Sequence, residues 1–355
     1  MASELAAIGS GKEAETAQSP SSGAAAVSQT STTRRAAEEA ECPGAVSPEI
    51  DRHTPSNPDS VIEPGDGESV ENDEFDPQEW DDNDSCASIS LSSSIYQHTY
   101  DNGRRFHAYK HGRYPIPNDE REQSREDMKH AMMMEIADGQ LHYAPVGETP
   151  QKILDLGTGT GIWAIEMGDR YPSATVTGID LSPIQPVWLP PNVKFVIDDC
   201  EDEQTFANLK PGGWMEWQEF HGWFRCNDNT MPPDYPAHLA YKMAKDAFKR
   251  LNFDVDICTN MGRVLRDAGF VNVNCIVKKI PVGPWAKDKR LRLVGWYLKT
   301  VIQEFLAVLS GKPWQVLGLN EVERELWKKA ACRALEDERV HRYWNFYFWY
   351  AQKLV

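Results

Sequence analysis

The sequence predicts an α/β fold built on a parallel sheet, on three observations. Ile153-Leu-Asp-Leu156 is a short apolar run of the kind a buried strand needs. Gly157, Gly159 and Gly161 follow it at once, and Thr175-Val-Thr-Gly-Ile-Asp180 supplies a second apolar run closed by an acid. Glycines at that spacing let the backbone turn sharply and approach a ligand where side chains would block it. Ile162 to Arg170 reads as the helix between the two strands. The carboxylate of Asp180, at the tip of the second strand, is placed to accept hydrogen bonds from both hydroxyls of a ribose.

The ligand is read from what the motif lacks. A dinucleotide fold wants its third glycine at position 162, but Ile162 stands there and the glycine comes one residue early. Asp155, two places before the first glycine, suits a positively charged amino-acid moiety and would repel a pyrophosphate. Asp155-x-Gly157-x-Gly159-x-Gly161 between two strands therefore favours S-adenosylmethionine over a nicotinamide dinucleotide. A third run, Val193-Lys-Phe-Val-Ile197, ends in Asp198-Asp199-Cys200. There Asp199 can accept the adenine amino proton while the next backbone N–H, that of Cys200, donates to the ring. The competing reading is that Asp198 to Glu203 is a solvated acidic loop.

The remaining elements follow in chain order. Residues 1–93 are rich in Ser, Ala, Glu, Asp, Pro and Gly with few aromatic residues, which predicts an acidic disordered tail. Positions 1–95 carry 20 acids and 4 bases, and so hold -16 of the net charge of -17. The folded part, from 94 to 355, is thus almost neutral, with no basic footprint for nucleic acid. Tyr96 to Tyr114, rich in tyrosine, histidine and basic residues, is either a lid over the cofactor edge or a leading segment packed on the domain. Asn118 is a good N-cap for a helix in which Met128, Met132 and Ile136 share one apolar face and Gly139 ends the run.

Beyond the acidic loop, Leu209-Lys-Pro-Gly-Gly213 is a turn before a strand, Trp214-Met-Glu-Trp-Gln-Glu-Phe220. Helices are predicted over 234–251, 259–268, 291–309 and 321–337, and strands over 271–280 and 343–351. No run approaches the roughly 18 apolar residues of a membrane span, and the N-terminus has no secretory pattern. An intracellular chain, in cytoplasm or nucleus and off the membrane, is expected. The seven cysteines form no C-x-x-C pair and predict neither disulfides nor a metal site.

These residues resemble the fungal LaeA-like class I methyltransferases. The resemblance runs from about Tyr100 to the C-terminus. It is carried by Arg104-Arg-Phe-His-Ala-Tyr-Lys-His-Gly-Arg-Tyr114, Pro117-Asn-Asp-Glu120, Ile153 to Ala164, Gly178-Ile-Asp-Leu-Ser-Pro-Ile-Gln-Pro186, Pro191 to Phe195 and Leu209 to Phe220. It implies a Rossmann-like sheet with strand order 3-2-1-4-5-7-6, S-adenosylmethionine as methyl donor, a small-molecule methyl acceptor, and a place in fungal secondary metabolism. It also implies roles by position. Asp155, Gly157, Gly159 and Gly161 would hold the amino-acid end, Asp180 the ribose and Asp199 the adenine, with Thr158, Leu181 and Cys200 in the same set. Glu216, Glu219 and His221 are the candidates for accepting a proton from the acceptor.

One departure is large. The family pattern places a strand and helix between the acidic loop and the Lys-Pro-Gly-Gly turn, and here roughly thirty to forty residues of that pattern are absent. The sheet is therefore expected one strand short, with added helices. The 13 residues between Asp199 and Gly213 can extend to about 43 Å, which is enough to carry the next strand into the vacant place. The missing element also opens an alternative reading, a catalytically impaired regulator of secondary metabolism acting through protein partners.

Overall fold

The computed structural model describes residues 62–63, 97–200 and 209–355. The expected tail, apart from Ile62 and Glu63, and the short turn anticipated at 205–208 lie outside the described residues. Ile62 is buried against Trp285, Ala286, Leu291 and Tyr343, and the Glu63 carbonyl accepts the Lys287 N–H at 2.7 Å. That part of the acidic leader is thus packed on the domain.

A hairpin comes first, β1 (His98–Asp101) and β2 (Arg104–His107), turning on Asn102 and Gly103 with φ 50 and 75. Two positive φ values in a two-residue loop match the right-handed twist of the strands they join. Helix α1 (Glu120–Ile136) starts one residue later than predicted. Asp119 is the cap and accepts the Glu122 N–H at 3.1 Å, while Asn118 is held by Arg105 through its side-chain and backbone oxygens. Met132 and Ile136 are fully buried, as their spacing requires.

The nucleotide-binding half matches the prediction closely. β3 (Lys152–Leu156), α2 (Ile162–Arg170), β4 (Thr175–Asp180) and β5 (Val193–Ile197) form a three-stranded parallel sheet ordered β3-β4-β5. The second half holds β6 (Trp214–Cys226), α3 (Pro236–Arg250), α4 (Ile257–Asp267), β7 (Phe270–Pro281), α5 (Lys289–Leu309), α6 (Lys312–Gln315), α7 (Glu321–Leu335) and β8 (Arg342–Lys353). Its strands pair antiparallel in the order β6-β8-β7. The aromatic run of β8 is core: Phe346 meets Phe220 edge-on at 4.6 Å, and Trp344 meets Tyr241 at 4.9 Å.

The orders β5-β4-β3 and β6-β8-β7 match 3-2-1 and 5-7-6 of the expected order, and no strand corresponding to strand 4 is found among the described residues. Among the described residues β6 is hydrogen-bonded to β8 alone and β3 to β4 alone. The pairing of β6 with β8 runs from Trp214 to Cys226, carries part of the aromatic core, and uses one of the two edges of β6. No helix among the described residues is long and apolar enough to cross a membrane.

Candidate functional site

The glycine turn is shaped from beneath by one ring. Gly161 has φ +84, and a Cβ there would lie 2.3 Å from Cζ of Phe195. A Cβ on Gly178 would meet the same ring at 2.6 Å and Oγ1 of Thr158 at 2.6 Å. Both glycines are required so that the loop can lie flat against β4 and β5. Above the loop the situation reverses, because a Cβ at Gly159 would meet nothing within 4 Å.

Backbone donors and carboxylates then fix the loop. The Gly157 and Thr158 N–H groups donate to the Ile179 carbonyl at 2.9 and 3.0 Å. Thr158 Oγ1 donates to Asp155 at 2.5 Å. Asp180 accepts the Gly159 N–H at 2.9 Å and the Ser182 N–H at 2.8 Å, so it orients the loop and the residues after Leu181 together. Burial pushes the Asp180 carboxyl above its ordinary value, and these backbone donors pull it back only in part.

Five contacts were not legible as site features. Thr160 Oγ1 donates to Asp127 of α1 at 2.7 Å, and Gln185 donates to the Gly159 carbonyl at 2.7 Å. At the acidic loop, Lys110 lies 2.9 Å from Asp199, with Arg113 at 3.5 Å and the Tyr109 hydroxyl donating to Asp198 at 3.2 Å. The segment after β2 therefore packs on the acidic loop at the end of β5, an arrangement that fits both a lid and a leading segment packed on the domain. The one sequence signal for it was the cluster of aromatic and basic residues before α1.

A cavity of about 1160 Å³ opens beside the loop. Asp155, Gly157, Thr158, Gly159 and Cys200 line it, as do Glu216 and Glu219 of β6. Glu216 accepts the backbone N–H groups of Tyr143 and Ala144 at 2.8 and 2.6 Å, and Gln218 donates to its other oxygen at 2.8 Å. Its raised pKa comes from burial, but its oxygens are committed to the 141–144 segment, which makes it a positioning residue. Glu219 is buried and accepts the N–H of Phe220. His221 is elsewhere. It lines a separate cavity of about 30 Å³ and sits between Asp256 at 3.2 Å and Arg225 at 3.3 Å, with its pKa lowered by burial. The structure thus brings Asp155, Gly157, Thr158, Gly159, Cys200, Glu216 and Glu219 to one cavity, and leaves Gly161, Asp180, Leu181, Asp199 and His221 off its lining.

A turn of this shape, at the switch between a strand and a helix and aimed into a large cavity, defines a class I methyltransferase half-fold. The family model described as a methyltransferase domain matches residues 128–208. The chain is 36% identical to the methyltransferase pytC of Aspergillus terreus, over 79% of this chain and 95% of the relative. It is 32% identical to the secondary metabolism regulator LAE1 of Cochliobolus heterostrophus, over 71% and 94%. It is 29% identical to the protein-methionine methyltransferase laeA of Emericella nidulans, over 74% and 79%. The chain belongs to the fungal LaeA-like methyltransferase family.

Those alignments also leave positions of each relative without a counterpart in this chain. The match to pytC spans 318 positions, yet 79% of 355 residues is about 280, so about 38 positions of pytC face no residue of this chain. For LAE1 the same reckoning, 292 positions against about 252 residues (71% of 355), gives about 40.

Proposed function

We propose that the chain is an S-adenosylmethionine-dependent methyltransferase of fungal secondary metabolism with a small-molecule acceptor. The observation that carries this reading is the Asp155-to-Gly161 turn opening onto the large cavity, with Asp180 at the tip of the neighbouring strand. The residues present fit that donor. Asp155 suits its ammonium, the glycine turn leaves room for its backbone approach, Asp180 faces the ribose position, and Asp199 and the Cys200 N–H suit adenine. When bound, S-adenosylmethionine would supply an electrophilic methyl group on a sulfonium, with a neutral thioether as the leaving group, and Asp155, Asp180 and Asp199 would hold it.

The chain's own contribution is orientation and exclusion of water. Thr158 and Asp180 hold the loop, and the Tyr109-to-Arg113 segment covers the adenine edge. Glu216 fixes the 141–144 wall, and Glu219 is a second carboxylate lining the cavity. A dedicated base is optional, because the leaving group is already activated.

Titration calorimetry with S-adenosylmethionine tests the reading, followed by transfer of labelled methyl to extracts of a producing fungus. Absence of heat with the wild type, where Asp155→Ala is equally silent, would sink it. A second reading is favoured by the lack of a strand 4 among the described residues: a member that keeps the cofactor half but acts through a protein partner. It expects cofactor binding without turnover, and a stable partner whose capture survives Asp155→Ala.

A further inference from the structure

One point of the acidic leader is seated on the domain in a built pocket. Ile62 is 6% exposed and packs among Trp285, Ala286, Leu291 and Tyr343, each itself buried. Beside it a single residue holds Glu63 twice. The Lys287 N–H donates to the Glu63 carbonyl at 2.7 Å, and the Lys287 ammonium lies 3.1 Å from the Glu63 carboxylate. A side chain in a pocket gives specificity to a peptide segment, and a main-chain bond beside it adds affinity.

The pocket walls are fixed by bonds that leave Ile62 out. Trp285 Nε1 and the Val282 N–H both donate to the Arg342 carbonyl, at 3.0 and 2.9 Å. The Gly283 N–H donates to the Gly295 carbonyl of α5 at 2.9 Å, and a Cβ on Gly295 would lie 2.2 Å from the Gly283 carbonyl oxygen, so this segment lies flush on the helix. The Tyr343 hydroxyl donates to Asn227 at 2.8 Å, and Asp288 caps α5 by accepting the Leu291 N–H at 2.9 Å. A receptor held in this way keeps its shape when its occupant leaves, which lowers the cost of filling it again.

We propose that Ile62-Glu63 is a docking motif and that the pocket at the start of α5 is its receptor, a releasable anchor that holds the acidic leader on the domain in cis. Release is within reach because one buried side chain and one main-chain bond are set against closing the 33 residues, 64–96, that join Glu63 to Gln97. Recognition rests on the isoleucine and the backbone. The Lys287 and Glu63 side chains are 63% and 74% exposed, and a pair so exposed contributes little. The anchor is independent of the cofactor reading.

Amide hydrogen exchange at Lys287 in the full-length chain tests it, because the Glu63 carbonyl protects that N–H. Ile62→Asp should speed exchange there at least about tenfold, with the Leu298 and Ile302 amides of α5 unchanged. Ile62→Ala carries the test if the aspartate variant disturbs those helix amides. Added in large excess to the Ile62→Asp chain, a synthetic peptide of residues 56–68 should restore protection saturably, and the same peptide carrying Ile62→Asp should not. Glu63→Ala should change the rate by less than about threefold. Equal exchange at Lys287 in the wild type and both Ile62 variants overturns the anchor. A loss on Glu63→Ala as large as that on Ile62→Asp makes the hold ionic and overturns the motif. Failure of the wild-type peptide to restore protection overturns the receptor.

Discussion

The Glu216 carboxylate accepts the Ala144 N–H at 2.6 Å, and this bond ties the antiparallel sheet to the segment leading into β3. Replacement by alanine would leave two part-buried N–H groups, of Tyr143 and Ala144, without their acceptor. We expect Glu216→Ala to cost about 2–6 kcal/mol, from roughly 1–3 kcal/mol per orphaned group. Glu216→Gln, which keeps an acceptor oxygen, should recover more than half of that in urea denaturation. If Glu216 were the proton acceptor for catalysis, the glutamine variant would instead be stable and inactive.

The latch at the acidic loop makes a different prediction. Lys110 and Arg113 are each nearly half exposed, and the bond to Asp199 raises the lysine pKa. Exposed pairs contribute little, so removing both cations should change stability by less than about 1 kcal/mol. Cofactor affinity should nevertheless fall about tenfold, equal to about 1.4 kcal/mol, because the segment covering the adenine edge loses its hold. Calorimetry on the double alanine variant, beside its thermal midpoint, separates the two. Unchanged affinity would count against the lid.

Gly161→Ala combines a positive φ with a Cβ placed 2.3 Å from Phe195. The conformation costs about 1–2 kcal/mol and the overlap about 1–3 kcal/mol. A loss of about 2–5 kcal/mol is expected, and Phe195→Leu in the same chain should return part of it. Chemical denaturation of the single and double variants reads the coupling, which would be zero if the loop simply moved away.

Burial holds His98, His107, His142, His221 and His238 below the ordinary histidine value of 6.5. Below pH 6.5 the unfolded chain binds protons at these rings that the folded chain does not, so stability falls as the pH drops through that value. Asp180 and Glu216 act oppositely. Their raised values cost stability at neutral pH, and that cost disappears as they protonate. Five rings against two carboxylates predicts a net loss between pH 7 and 5.5, read as a falling urea midpoint. A flat midpoint would contradict the burial of the rings.

Much of the first half was legible in sequence because local chemistry specifies it. The bounds of α2, β4 and β5 follow from apolar runs, glycines and a closing acid, and tertiary packing only confirms them. The hairpin at Asn102-Gly103 was overlooked although its turn residues are a strong local signal; the aromatic residues around it drew the reading toward packing. The cap of α1 shifted by one residue because Arg104 and Arg105 select among adjacent polar groups, a choice made by partners distant in the chain. His221 could not be separated from Glu219 by sequence, since both lie on one face of an alternating strand; a bulge between His221 and Arg225 and contacts from α4 decide where each side chain ends.

By itself, then, the sequence determined the glycine turn and the resemblance to the family, since both rest on the identity and spacing of neighbouring residues, and the resemblance in turn implied the strand order and the missing element. The tertiary structure alone decided the partners of β6. Among the described residues β6 keeps its long, aromatic-rich pairing with β8, and Glu216 becomes a strut to the 141–144 segment on the cavity beside Asp155, contacts that join residues far apart in the chain.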